Sequence, residues 1–159
     1  MQLAHYLKPE SIIVPLQSTT KKHAFAELVA ALCQREQLSD SEKLLHAIEE
    51  REKSSSTFLP MGIAVPHARI PDVNDIVMIL GISPAGIQDE GGFAPLEAHL
   101  FFLFFSSTTE KEFGKHLKLL ARIAAVFSDP QLVADIADLK TPQQIFARIQ
   151  KRERQIDKE

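Results

Sequence analysis

The chain has 159 residues, 45% of them apolar and 25% charged, with a formal net charge of -3. That length suits one compact unit with a sizeable core and is short for two, so a single domain over residues 1–159 is expected. The acidic balance offers no basic footprint for a phosphate backbone, which removes nucleic acid from the expected partners, and the most apolar stretch, residues 100–105, is far too short to cross a bilayer.

Met1, Gln2, Leu3, Ala4, His5 and Tyr6 lack the charge, apolar run and cleavage site of a secretory signal, so the cytoplasm is the expected compartment. The β-branched run Ile12, Ile13 and Val14 ends at Pro15 and reads as a strand. Residues 20–37 place Phe25, Leu28, Val29 and Leu32 at helical spacing, with cap candidates at 18–20. Cys33, the single cysteine, excludes an internal disulfide framework and reads as a small buried thiol in that helix. A second helix is predicted from Ser39 to about Lys53, with Ser39 and Glu42 as a capping box and Leu44, Leu45 and Ile48 as its stripe.

After a polar break at 54–57, Ile63, Ala64 and Val65 between Gly62 and Pro66 form a short strand or strand-like turn. Residues 76–82 and 99–105 are continuous apolar runs of strand length, as expected for strands covered on both faces. The Gly- and Pro-rich stretch 83–95 between them is predicted to be a loop. Thr109 and Glu112 form a second possible capping box, opening a helix with the stripe Leu117, Leu120, Ile123, Ala124 and Phe127. Ser128-Asp129-Pro130 and Thr141-Pro142 each start a further helix with Pro at its first position. Strands alternate with helices early and helices dominate late, so the expected fold class is α/β with a sheet flanked by helices on both faces.

The chemistry concentrates at His67. A histidine directly after Pro66 has a fixed approach and is pre-aimed. Neutral imidazole is a nucleophile near pH 7 and can carry a phosphoryl group. On the residues alone the plainer reading, a histidine that ends a strand and bonds a neighbour, stands first. Two further residues shift that balance. Arg51 follows Leu44 by seven and Ile48 by three, which places it on the apolar stripe at the helix end, where its guanidinium could brace a phosphoryl oxygen. A cation covering the helix C-terminus fits the same position. His116 precedes Leu120, Ile123 and Phe127 by four, seven and eleven, aligning it with the core-facing stripe, where it is either a core histidine or a hydrogen-bond donor to a phosphoryl oxygen.

At these residues the sequence resembles the IIA components of the bacterial phosphoenolpyruvate-dependent phosphotransferase system, in the fructose, mannitol and nitrogen-regulatory class. The resemblance rests on Arg51-Glu52-Lys53, Ser56-Thr57 and Gly62-Ile63-Ala64-Val65-Pro66-His67-Ala68, followed by His116-Leu117, Leu119-Leu120 and Ile123-Ala124. It implies a mixed sheet sandwiched between helices, His67 as the phosphorylated residue, His116 as the second active-site histidine, Arg51 as the family's arginine and Thr57 in the same pocket wall. It also implies HPr or a nitrogen-branch counterpart as phosphodonor, with a IIB domain bearing a reactive cysteine or a regulated target protein downstream. No metal or nucleotide cofactor is called for. Pro60-Met61 depart from the Gly-Asn that members usually carry there, which predicts a stiffer loop with fewer N–H donors.

Two functions follow, a phosphocarrier and a regulatory protein-binding module, and they can coexist. With no IIB or membrane domain in the sequence, the regulatory branch is favoured, although stand-alone sugar-specific members exist. A zinc site at His67 and His116 would need further converging ligands, and a hydrolase lacks a recognisable Ser or Cys motif.

Overall fold

Why the two long apolar runs pair is set by their composition, since neither has a polar face to give to water. In a computed structural model, which describes residues 1–92 and 95–159, the order is β1 (Ile12–Ile13), α1 (Lys21–Glu36), α2 (Ser41–Ser54), β2 (Phe58–Leu59), β3 (Ile63–Ala64), β4 (His67–Ile70), β5 (Val77–Gln88), β6 (Glu97–Ser107), α3 (Phe113–Val126), α4 (Pro130–Ala137) and α5 (Pro142–Asp157). Short 3-10 turns at Leu3–His5, Pro9–Ser11 and Glu110–Glu112 complete it.

The sheet is mixed, in the order β1-β5-β6-β3-β2, with β4 also on β6. β5 and β6 are antiparallel, whereas β1 on β5 and both β3 and β4 on β6 are parallel. Strand β6 alternates between two cores. Leu100, Phe102 and Phe104 pack with Leu119, Ile123, Ile136, Ile145 and Ile149 under α3, α4 and α5. Phe101, Leu103 and Phe105 pack with Phe25, Leu28, Leu32, Leu44 and Ile48 under α1 and α2. The helices thus cover both faces, as the sequence predicts. Each fully buried phenylalanine contributes on the order of 2–3 kcal/mol.

Several boundaries differ from those expected. The N-cap of α2 is Asp40, whose carboxylate accepts from the Lys43 N–H, so the Ser39 capping box does not form. Thr109 makes no cap bond with its side chain; its hydroxyl accepts from Ser107, and a 3-10 turn leads into α3 instead. Thr20, Asp129 and Thr141 cap their helices as predicted. The largest correction concerns residues 83–95. Strand β5 continues to Gln88, because a bulge between Ile82 and Ile87 absorbs Pro84 and the positive φ of Gly86, after which Ile87 and Gln88 pair again with Ala98 and Glu97. Only the end of that stretch is a turn, and its residues Phe93 and Ala94 lie outside the described residues.

Two short strands escape the apolar-run criterion, β2 and β4. Pro60, Met61 and Gly62 join β2 to β3 in a tight hairpin with Leu59 opposite Ile63 and Gly62 at φ 95°. Gly62 takes the closing conformation, a positive φ that only glycine adopts cheaply.

Candidate functional site

The site begins with an interruption. β3 and β4 hold the same offset to β6, Ala64 opposite Phe101 and His67 opposite Phe104, so they are one strand broken at Val65 and Pro66. Pro66 has no N–H to give the ladder. The carbonyl of Val65, which faces β2 where the Thr57 N–H is given to Glu52, takes the ring of His67, with Nδ1 2.7 Å from the oxygen. A carbonyl can only accept, so Nδ1 carries the proton and the lone pair lies on Nε2.

His67 shares the face of Phe104, on which its ring stacks at 5.2 Å and 11°. The residue is 7% exposed. Among the described residues only Arg35 Nη1 and Arg148 Nη1 are fully shielded side-chain polar atoms without a partner, so the unpartnered Nε2 of His67 touches solvent. Burial lowers the pKa of His67, and the Arg51 charge adds to this, while the bond to Val65 and the Glu52 carboxylate oppose it.

His116 projects from the first turn of α3 onto the same patch. Its ring lies 5.2 Å from His67 at 64° and 5.4 Å from Phe104. Ser106 Oγ is 2.6 Å from its Nδ1. Phe113 stacks against it at 5.9 Å, and the Arg69 guanidinium lies 4.6 Å from the Phe113 ring. Burial, then the neighbouring His67, Arg69 and Arg51, depress the His116 pKa to about 4. At neutral pH this imidazole is uncharged.

Arg51 lies in the last turn of α2, where Nη1 donates to the Ser55 carbonyl at 2.9 Å. It therefore covers the helix end, and its charge also reaches both imidazoles. Thr57 is buried, with its hydroxyl donating to Glu52 Oε1 at 2.5 Å and its N–H to Oε2 at 2.9 Å. Its contribution is to hold the segment that follows Arg51. Glu52 Oε2 pairs with Lys21 at 3.0 Å, and Lys21 with Asp89 at 2.7 Å. Asp89 also accepts from the Ser56 hydroxyl at 2.7 Å. The Asp89-Glu90-Gly91-Gly92 stretch is thereby explained: a buried carboxylate ties the end of β5 to α1 and to the 55–57 segment, and a side chain at Gly92 would collide with it.

The structure thus brings His67 and His116 together, sets Arg51 within electrostatic reach and places Thr57 behind it. Glu52, Ser106, Arg69 and Phe113 belong to the site and were not singled out from the sequence. The signal for Ser106 and Arg69 was available in the two-residue alternation from Phe104 and His67. A cleft of about 450 Å³ lies apart from the imidazoles, lined by Lys21, Lys22, Phe25, Glu49 and Gly91 among others. Among the described residues no three His, Cys, Asp or Glu side chains are placed to hold a metal, which the zinc reading requires. Cys33 is buried in α1, and burial raises its thiol pKa. Among the described residues no helix is long and apolar enough to cross a membrane.

These features define an α/β protein with a pair of touching imidazoles at the edge of a mixed sheet. The chain belongs to the family of the phosphoenolpyruvate-dependent sugar phosphotransferase system, EIIA 2, whose model matches residues 5–152. It is 27% identical over 146 residues to the fructose-specific EIIABC component of Bacillus subtilis, covering 92% of this chain and 22% of that protein. The chain therefore spans about a fifth of that relative's length. It is 26% identical over 149 residues to the nitrogen regulatory protein of Bradyrhizobium diazoefficiens, covering 92% of this chain and 94% of that one. The fold is also that of the nitrogen regulatory protein IIA-Ntr of Neisseria meningitidis, with TM-score 0.81, 20% identity and coverage of 92% and 98%. For the mannitol IIA of Escherichia coli the TM-score is 0.74 at 19% identity, with coverage of 90% and 98%.

Proposed function

We propose that the chain, acting as a single cytoplasmic EIIA-type domain, is a phosphocarrier that accepts a phosphoryl group on Nε2 of His67 and passes it on or uses it as a regulatory signal. The observation that carries this is the bond from Nδ1–H to the Val65 carbonyl, which leaves a solvent-reachable lone pair on Nε2. In the first step Nε2 forms a bond to the phosphorus of an HPr-like donor's phosphohistidine. The donor's P–N bond breaks, and its electron pair returns to the donor ring. The His67 ring becomes positive while it keeps Nδ1–H, and the Val65 oxygen stabilises that charge. The same bond favours the charged ring in the free protein.

In this reading His116, whose ring lies against that of His67, serves the phosphoryl group as a neutral N–H donor, and Arg51, whose charge reaches both imidazoles, serves it as a cation. Thr57 supports them through Glu52. The acceptor is then the cysteine of a IIB domain or a regulated target protein. A structure named as a complex of mannitol IIA with phosphorylated IIB from Escherichia coli, matched at TM-score 0.73 and 19% identity, supplies the sugar-branch analogy. The likeness to a nitrogen regulatory protein over 94% of its length supplies the regulatory one.

The test is uptake of acid-labile phosphate from a phosphoenolpyruvate-driven donor relay. One phosphate per chain is expected, on the Nε2 position, and none in His67→Ala. Full labelling of that variant would move the nucleophile elsewhere.

A further inference from the structure

A neutral imidazole donates from one nitrogen at a time, so a histidine that serves a phosphoryl group must be held in the right tautomer. For His67 the Val65 carbonyl makes that choice. For His116 the partner is the Ser106 hydroxyl, which can either donate or accept. Ser106 sits on β6 two residues past Phe104, opposite Arg69 on β4, and is 1% exposed. Its hydroxyl has no other hydrogen-bond partner among the described residues.

Two arrangements are open. If Nδ1–H donated to Ser106, the hydroxyl proton would be left in a buried setting without an acceptor, and the lone pair on Nε2 would face a phosphoryl oxygen. If Ser106 donates to Nδ1, the hydroxyl proton is placed and Nε2 carries the hydrogen. Only the second leaves no buried donor unused. Neutrality of His116 at pH 7 is consistent with it.

We propose that Ser106 is a positioning residue that donates its hydroxyl proton to His116 Nδ1, locking that ring as the Nε2–H tautomer so that it presents a hydrogen bond to the phosphoryl group on His67. The two histidines are thus set in opposite tautomers, one as nucleophile and the other as donor. The tautomer lock stands on geometry alone, whereas its use in transfer rests on His67 being the acceptor. Phe113, stacked on His116, restrains the ring's rotation without choosing its proton.

The experiment is nitrogen NMR of the full, unphosphorylated chain with ¹⁵N-labelled histidine at pH 7, in wild type, Ser106→Ala and Ser106→Thr, with folding followed by circular dichroism. Wild-type His116 is expected to show a protonated Nε2 and a bare Nδ1. Ser106→Ala should show a mixture of tautomers and Ser106→Thr should restore the single one. Onward transfer from the phosphorylated protein should fall about tenfold in Ser106→Ala, as expected for the loss of one well-placed hydrogen bond, and recover in Ser106→Thr. A proton on Nδ1 in wild type overturns the assignment without any variant, and so does an unchanged tautomer in Ser106→Ala. If the tautomers behave as expected while His67→Ala still takes up phosphate, the lock is supported and the acceptor reading is what fails.

Discussion

A protein that keeps two imidazoles uncharged against each other loses stability in acid, within a window that His116 defines. The unfolded chain protonates this histidine near pH 6.5, and the folded chain does so only at about 4. Between those values the unfolded state binds a proton that the folded state does not, so stability is complete above the upper value and declines as the pH falls. Each unit crossed is worth about 1.4 kcal/mol, which gives a loss of about 2 kcal/mol between pH 7 and 5 from His116 alone. His67, also lowered by burial, acts in the same direction. The perturbation to compare is His116→Gln, whose amide can still meet Ser106 but does not titrate. Urea denaturation at pH 7, 6 and 5 should show wild type losing about 2 kcal/mol more than the variant over that range. Parallel curves for the two proteins would refute the claim that His116 is held neutral by the fold.

Two other outcomes follow from particular contacts. Glu153 is 1% exposed and accepts from the Leu3 and Ala4 amides and from Arg122 Nε at 2.7, 3.1 and 2.8 Å, so Glu153→Ala leaves one buried and two part-buried donors unmatched. It should cost about 3–5 kcal/mol in urea denaturation, and a cost under 1 kcal/mol would show that the N-terminal turn is not anchored there. Arg51→Lys keeps the charge but not the planar fork, so phosphate uptake should persist while onward transfer falls about tenfold in a rapid-mixing assay; an unchanged rate would reduce Arg51 to a cover for the end of α2.

The sequence shows its fold class because both long apolar runs had to be covered on both faces, and the stripes of α1 and α2 supplied the cover on one side; α3 covers the other with Leu119, Ile123 and Val126, whereas Leu117 of its expected stripe is exposed. What it hid was local. The bulge after Ile82 looks like a loop when only Gly and Pro are weighed, since the partner strand that rescues the pairing is ten residues away. Strands β2 and β4 are too short to show a period. Within the site, His67 and His116 stood out by residue type and position. Ser106 was masked because a serine at the end of a phenylalanine-rich run reads as the run's terminus, although the alternation from Phe104 already gives its face; that it lies opposite Arg69 needs the register with β4. Glu52 was masked in a different way, as one acid in a charged run whose burial depends on Lys21 arriving from α1.

The Val65 carbonyl joins the fold to the chemistry. Were the Thr57 N–H to complete the antiparallel pair with Val65, it would take the Val65 carbonyl from the His67 ring. Val65 donates its N–H to the Thr57 carbonyl, but the Thr57 N–H is turned to Glu52, which leaves the Val65 carbonyl to the His67 ring while the register keeps His67 opposite Phe104. Burial against Phe104 then favours the neutral ring, as the proposed nucleophile requires, while the unpaired Nε2 stays open to solvent, as transfer from a partner protein would require. An exposed loop histidine, whose ring would rotate and titrate freely, fails the first requirement, and one sealed in the core fails the second. The strand interrupted at Val65 and Pro66 satisfies both for His67, the proposed acceptor.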